Sequence, residues 1–160
     1  MNEPTPQPIT TFDSVPGTLR HISIVGDRIR DFNRVMSKRS RTHDASKLTG
    51  IERECLDAIG PQECTEVGSD LYKRRLEKLR PMIEHHMANN SHHPEHYPNG
   101  IDGMDLFDLV EMLCDWMAAA EERDPTGFDI NKSIGYIRRK FNVSDQLESI
   151  LVNTANNWPK

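Results

Sequence analysis

Between residues 19 and 35 the apolar side chains fall at Leu19, Ile22, Val25, Ile29, Phe32 and Val35. Steps of three and four gather residues on one face of a helix, whereas a strand alternates its faces every second residue. The same spacing recurs wherever the chain is apolar. Thr49 and Glu52 stand three apart ahead of Leu56 and Ile59, the spacing of a capping box at a second helix. Ser69 precedes a third periodic stretch, LYKRRLEKLRPMIEHHM, which Pro81 is expected to kink or split. Asp105 and Asp108 open LFDLVEMLCDWMAAAEER, the most apolar segment, and two shorter helices are expected after Asp129 and after Ser144. No segment alternates as a strand does, and no internal repeat is visible. The expected fold is therefore all-α, a compact multi-helix bundle interrupted by a histidine-rich loop.

With 160 residues, 36% hydrophobic and 28% charged, the chain is long enough and apolar enough to bury a core as one domain. That domain is expected over 17–160, after an extended or disordered lead-in over 1–16 that is rich in proline and polar residues. No apolar run approaches the roughly 18 residues of a membrane span, and the N-terminus lacks the basic start and apolar stretch of a secretory signal. Cys55, Cys64 and Cys114 form no CxxC pair, which fits inert thiols in a reducing cytoplasm. A net charge of −5 gives no broad basic footprint for duplex nucleic acid. The runs Lys73-Arg74-Arg75 and Arg138-Arg139-Lys140 read first as solvated helix faces, with nucleotide steering as the alternative. Oligomeric state stays open.

Five of the seven histidines crowd into one stretch of twelve residues, HHMANNSHHPEH, at positions 85, 86, 92, 93 and 96. Imidazole is a common neutral ligand for transition metals and titrates near neutral pH. Protonated, such a cluster repels itself; buried, it needs partners. A bound cation removes both difficulties, so the cluster points to a metal site. His43 is followed at once by Asp44, a pair that can serve one metal when the backbone turns there, with the carboxylate free to bridge a second. Asp115 interrupts the apolar run VEMLCDWMAA and shares a helix face with Glu111 and, nearly, Asp108. Either that face lies in solvent or a cation explains the acid. His21, among apolar neighbours, is alone more easily a core histidine than a ligand.

The ordered set His21, His43-Asp44, Asp115 resembles the H…HD…D signature of the HD-domain superfamily, all-helical metal-dependent phosphohydrolases. HDASK is similar to the HDxGK segment of the HD-GYP branch; the GYP triplet is absent, so hydrolysis of cyclic di-GMP is not implied. The stretch HHMANNSHHPEHYPNGIDGM with EMLCDWMAA resembles, from about residue 18 to the end, an uncharacterised HD-related family of phage and bacterial genomes that has no established reaction. The resemblance implies an HD-like bundle in which His21, His43, Asp44 and Asp115 hold one divalent ion. Asp44 would bridge to a second ion held by the histidine-rich segment. Successive His85 and His86 lie about 100° apart on a helix, so one of them faces a site. His86 follows the apolar spacing from Met82 and is the preferred ligand, with His92 beside it. His93 is expected to ligate or contact phosphate, and Lys47 to present a point charge to a phosphate oxygen.

The resulting expectation is a metal-dependent phosphohydrolase using two divalent ions (manganese, iron, magnesium or similar) on a nucleotide or another small phosphoester. Two alternatives remain. One is a mixed-valent di-iron oxygenase of the HD type, favoured by the surplus of imidazole. The other is a non-catalytic, metal-stabilised module that binds a nucleotide or a protein.

Overall fold

The computed structural model describes residues 12–60, 69–124 and 129–159. The expected lead-in falls mostly on residues 1–11, and Cys64 on 61–68, both outside the described residues. Among the described residues there are six α-helices: α1 (Val15–Thr42), α2 (Gly50–Ile59), α3 (Asp70–Asn89), α4 (Leu106–Arg123), α5 (Ile130–Phe141) and α6 (Asp145–Asn156). Short 3-10 turns occupy Ala45–Leu48, Pro94–His96 and Gly100–Gly103, and no strand occurs among the described residues. The fold is all-α, as the apolar spacing requires. No helix among the described residues is long and apolar enough to cross a membrane.

Contacts divide the chain into two units, Met1–Ser37 and Lys38–Lys160, with the boundary inside α1. The first unit carries most of α1, a helix that buries none of its residues and leaves Leu19, Ile22, Val25 and Ile29 exposed.

In the second unit α4 is central. Leu113 packs with Ile130, Ile134 and Leu151, and Met112 with Ile101 and Val143; Trp116 and Leu147 touch both clusters. Leu147 and Leu151 thus turn into this core, while Ile150 on the same helix is exposed. Side-chain caps set the helix starts where serine or aspartate stood ready. Ser69, Asp129 and Ser144 each accept from a backbone N–H of the first turn of α3, α5 and α6.

One local expectation narrows and another changes. Of the two outcomes expected at Pro81, a kink or a split, the split is absent: α3 runs unbroken from Asp70 to Asn89. The capping box expected at Thr49 and Glu52 does not form, since Thr49 makes no side-chain cap. A reciprocal box forms instead at α4, between Asp105 and Asp108. Glu52 is fully buried, and its carboxylate is used elsewhere.

Candidate metal centre

α1 closes with the N–H of His43 donating to the Arg39 carbonyl at 2.7 Å. Asp44 then takes a left-handed backbone, φ 53° and ψ 17°, and the chain reverses into the turn Ala45–Leu48. L-residues avoid this region, aspartate less than most. The conformation places adjacent His43 and Asp44 side chains in one site. His86 arrives from the last turn of α3, and His92 and His93 from the loop that follows. Asn90 caps that helix, its amide donating to the His86 carbonyl at 2.8 Å. Glu111 and Asp115 come from successive turns of α4.

Three groups of ligand atoms lie within 4.8 Å of one another among the described residues: Asp44 with His86, His92 and His93; His43 with Asp44 and Asp115; and His43 with His92 and Glu111. Asp44 joins the first two through different oxygens. Its Oδ1 lies 3.3 Å from His86 Nε2 and 3.4 Å from His92 Nε2. His43 Nε2 is 3.6 Å from Asp44 Oδ2 and 3.6 Å from Asp115 Oδ1. His93 Nε2 approaches His86 Nε2 to 2.9 Å. Asp44 Oδ1 and His92 Nε2 are both buried and have no hydrogen-bond partner. A carboxylate oxygen and imidazole nitrogens thus converge on one another, an arrangement that a cation satisfies. His/Asp donors in this number suit a divalent ion, so the side chains present fit a metal.

The outer face of the cluster is also built. Glu111 Oε1 lies 2.8 Å from His43 Nδ1 and 3.3 Å from His92 Nδ1, and its Oε2 accepts from Arg39. Glu52 Oε1 lies 2.7 Å from His85 Nδ1, and its Oε2 2.9 Å from His86 Nδ1 and 3.0 Å from Ser46 Oγ. Arg39 continues to Asp108, which also accepts from Ser91 Oγ and from the Tyr97 hydroxyl, each at 2.6 Å. Lys47 Nζ sits 2.6 Å from Asp44 Oδ2 with its side chain 38% exposed, so it is paired and still reachable from solvent.

Electrostatics follow from these contacts. Asp115, together with Glu111 and Asp44, raises the His43 pKa to about 9 against the opposing effect of burial. Burial, then the neighbouring His92 and His86, push His93 down to about 4, so its ring is neutral and available as a ligand. Burial alone would raise the Asp44 carboxyl; His86, His92 and Lys47 outweigh it and hold the group far below the usual carboxylate range. One consequence is measurable. Without metal, His43 keeps a proton at neutral pH that an ion taking its Nε2 must displace. Metal uptake at pH 7.5 should release a proton, by calorimetry in buffers of differing ionisation heat, and the release should fade above pH 9. The same raised pKa contributes stability to the metal-free protein that is complete below about pH 6.5 and lost as pH rises through 9. Uptake with no proton release at pH 7.5 would contradict this assignment of His43.

Of the residues singled out from sequence, His43, Asp44, His86, His92, His93 and Asp115 come together, with Lys47 on Asp44. His21 enters none of the three groups; it lies exposed on the part of α1 that belongs to the first unit. His85 and His96 also stay outside the groups, His85 on Glu52 and His96 on the Met87 carbonyl. The acidic face of α4 is turned inward, with Asp108 2% exposed, which removes the solvent explanation for that stripe. Glu52 and Glu111 were not expected in the site. Glu111 was visible as the helical neighbour of Asp115, whereas Glu52 had only its capping-box spacing.

A model of a family described as a family of unknown function (DUF5662) matches residues 11–157. Neither a curated protein nor a solved structure gives a significant match.

Proposed function

The chain belongs to the DUF5662 family, and we propose that it is a metal-dependent phosphohydrolase acting on a nucleotide or another small phosphoester through a dinuclear His/Asp centre. The observation that carries this reading is the pair of buried atoms without partners, Asp44 Oδ1 and His92 Nε2, inside a set of donors shared by two groups through one carboxylate. In this reading Asp44, His86, His92 and His93 hold one ion, and His43, Asp44 and Asp115 the other. Divalent ions held this way supply charge for phosphoryl oxygens and acidify water. The resemblance to HD-domain phosphohydrolases points the same way.

The protein's own residues do the rest. Asp44 keeps the two groups in register because its two oxygens face different imidazoles. Lys47, half-exposed beside Asp44, offers its ammonium to an incoming phosphoryl oxygen, a point charge that tolerates varied approach. His93, kept neutral by burial and its neighbours, leaves its Nε2 lone pair free. In the overall reaction water adds to phosphorus, the ester P–O bond breaks, and the departing oxygen takes up a proton.

The test has two stages. Elemental analysis of protein purified without added metal should find up to two divalent ions per chain. Phosphate or nucleoside release is then followed on deoxynucleotides, cyclic dinucleotides and simple phosphomonoesters with manganese, iron, magnesium or zinc restored. A filled site with no turnover on any of these sinks the hydrolase and favours a metal-stabilised binding module. The number of imidazoles favours one second reading, an HD-type di-iron oxygenase, since nitrogen donors suit iron well. Oxygen uptake by the iron-loaded protein, with no phosphate release, would select it.

A further inference from the structure

Three imidazoles of the centre share one arrangement. Each turns Nε2 toward Asp44 and Nδ1 toward a glutamate outside the ligand groups that contain Asp44. His86 Nδ1 meets Glu52 at 2.9 Å, and His43 and His92 Nδ1 meet Glu111 at 2.8 and 3.3 Å. An ionised carboxylate only accepts hydrogen bonds, so a ring nitrogen that bonds to it carries the hydrogen. A neutral imidazole with hydrogen on Nδ1 has its lone pair on Nε2.

The surroundings of His86 support that assignment. Asn90 Nδ2 lies 3.0 Å from His86 Nδ1, but its two hydrogens are taken by Ser46 Oγ at 3.0 Å and the His86 carbonyl at 2.8 Å. Ser46 Oγ lies 3.4 Å from His86 Nδ1 but only 3.0 Å from Glu52 Oε2, and its hydrogen goes to the nearer carboxylate. Nothing in that chain of bonds gives Nδ1 a hydrogen, so Nδ1 must supply its own to Glu52.

Glu52 has no other evident purpose. It is 0% exposed, its contacts are two imidazoles and a serine hydroxyl, and the helix cap it was spaced to make is not formed. Burying a carboxylate is costly unless its bonds give something back.

We propose that Glu52 and Glu111 are positioning residues that hold His86, His43 and His92 as Nδ1–H tautomers, delivering three Nε2 atoms to the metal ions beside Asp44. The proposal rests on the centre being a metal site, and not on which reaction it performs. A carboxylate on the far side of a ligating imidazole fixes ring and tautomer and raises ligand basicity, and its loss typically lowers metal affinity about 10–100-fold. Each glutamate serves two rings. Glu52 meets His85 and His86 through different oxygens, so a glutamine there, with one accepting oxygen and one donating amide, must cost one ring its bond or its tautomer. Glu111 meets both of its rings through Oε1 and Arg39 through Oε2, so a glutamine there sets its amide against either the two rings or the Arg39 guanidinium.

Zinc is the probe, because it is diamagnetic and silent in redox chemistry. In the zinc-loaded wild-type protein, long-range proton–nitrogen NMR should show His43, His86 and His92 with hydrogen on Nδ1. Glu52→Gln and Glu111→Gln should each weaken zinc binding about 10–100-fold by chelator competition. Each should also alter the visible spectrum of the cobalt-substituted protein. A role limited to stability would lower the melting temperature of the metal-free variants and leave affinity and spectrum unchanged. That result overturns the proposal, as does an Nε2–H tautomer at any of the three rings. The NMR measurement needs no variant, so it decides even if a substituted protein fails to fold. Wild-type protein that binds zinc through other tautomers defeats this inference alone; wild-type protein that binds no metal defeats the metal centre with it.

Discussion

Asp44→Ala should empty the centre and abolish any turnover that depends on it. Asp44 faces His86, His92 and His43 and pairs with Lys47, and it is the one residue common to the two groups assigned to the two ions. Removing it takes one ligand from each ion at once. The loss should exceed the 10–100-fold typical of an outer carboxylate, so metal should not survive a chelator wash. Alanine also fits poorly at φ 53°, a conformation aspartate and asparagine tolerate better. Asp44→Asn is therefore the cleaner companion: it suits that backbone and keeps the size, while trading the charge and one accepting oxygen for an amide. Metal content per chain after dialysis separates the outcomes. Two ions retained in Asp44→Ala would falsify the shared-ligand assignment.

Asp108→Ala should be the most damaging substitution outside the ligand set, costing about 3–5 kcal/mol as expected when one partner of a buried ion pair is removed. The carboxylate is 2% exposed and accepts from Arg39, Ser91, Tyr97 and the N–H of Asp105. Removing it leaves Arg39 with Glu111 as its one charged partner beside the Ser91 hydroxyl, and the Tyr97 hydroxyl without its acceptor. Burial by itself would raise the Asp108 pKa; the four donors outweigh it and bring the group down to about 2. A depressed carboxyl contributes stability above its unfolded value, near 3.9, that is lost as pH falls through its folded value. The wild-type protein should therefore lose about 2 kcal/mol between pH 4 and pH 2 from this group, and Asp108→Asn should show a smaller loss there. Urea titrations at several pH values measure both effects. Equal acid sensitivity in wild type and Asp108→Asn would remove Asp108 from the account. Because Arg39 also holds Glu111, Asp108→Ala should weaken metal binding indirectly as well.

Helix content was legible because apolar spacing and capping residues are local properties. Ser69, Asp129 and Ser144 cap the helices they precede. Local rules failed where a distant group competed for the same atoms. Glu52 has the spacing of a capping residue, yet two histidines more than thirty positions away take both of its oxygens.

By itself the sequence determined the all-helical architecture and marked out the imidazoles and carboxylates that gather into groups able to hold a cation. Only the tertiary structure decided which atoms face one another: that the two oxygens of Asp44 serve different imidazoles, that the acid stripe of α4 turns inward, and that Glu52 and Glu111 stand behind the rings. The reason is physical. A carboxylate's role depends on the donors within about 3 Å of it, and in a folded chain these arrive from elements far apart in sequence.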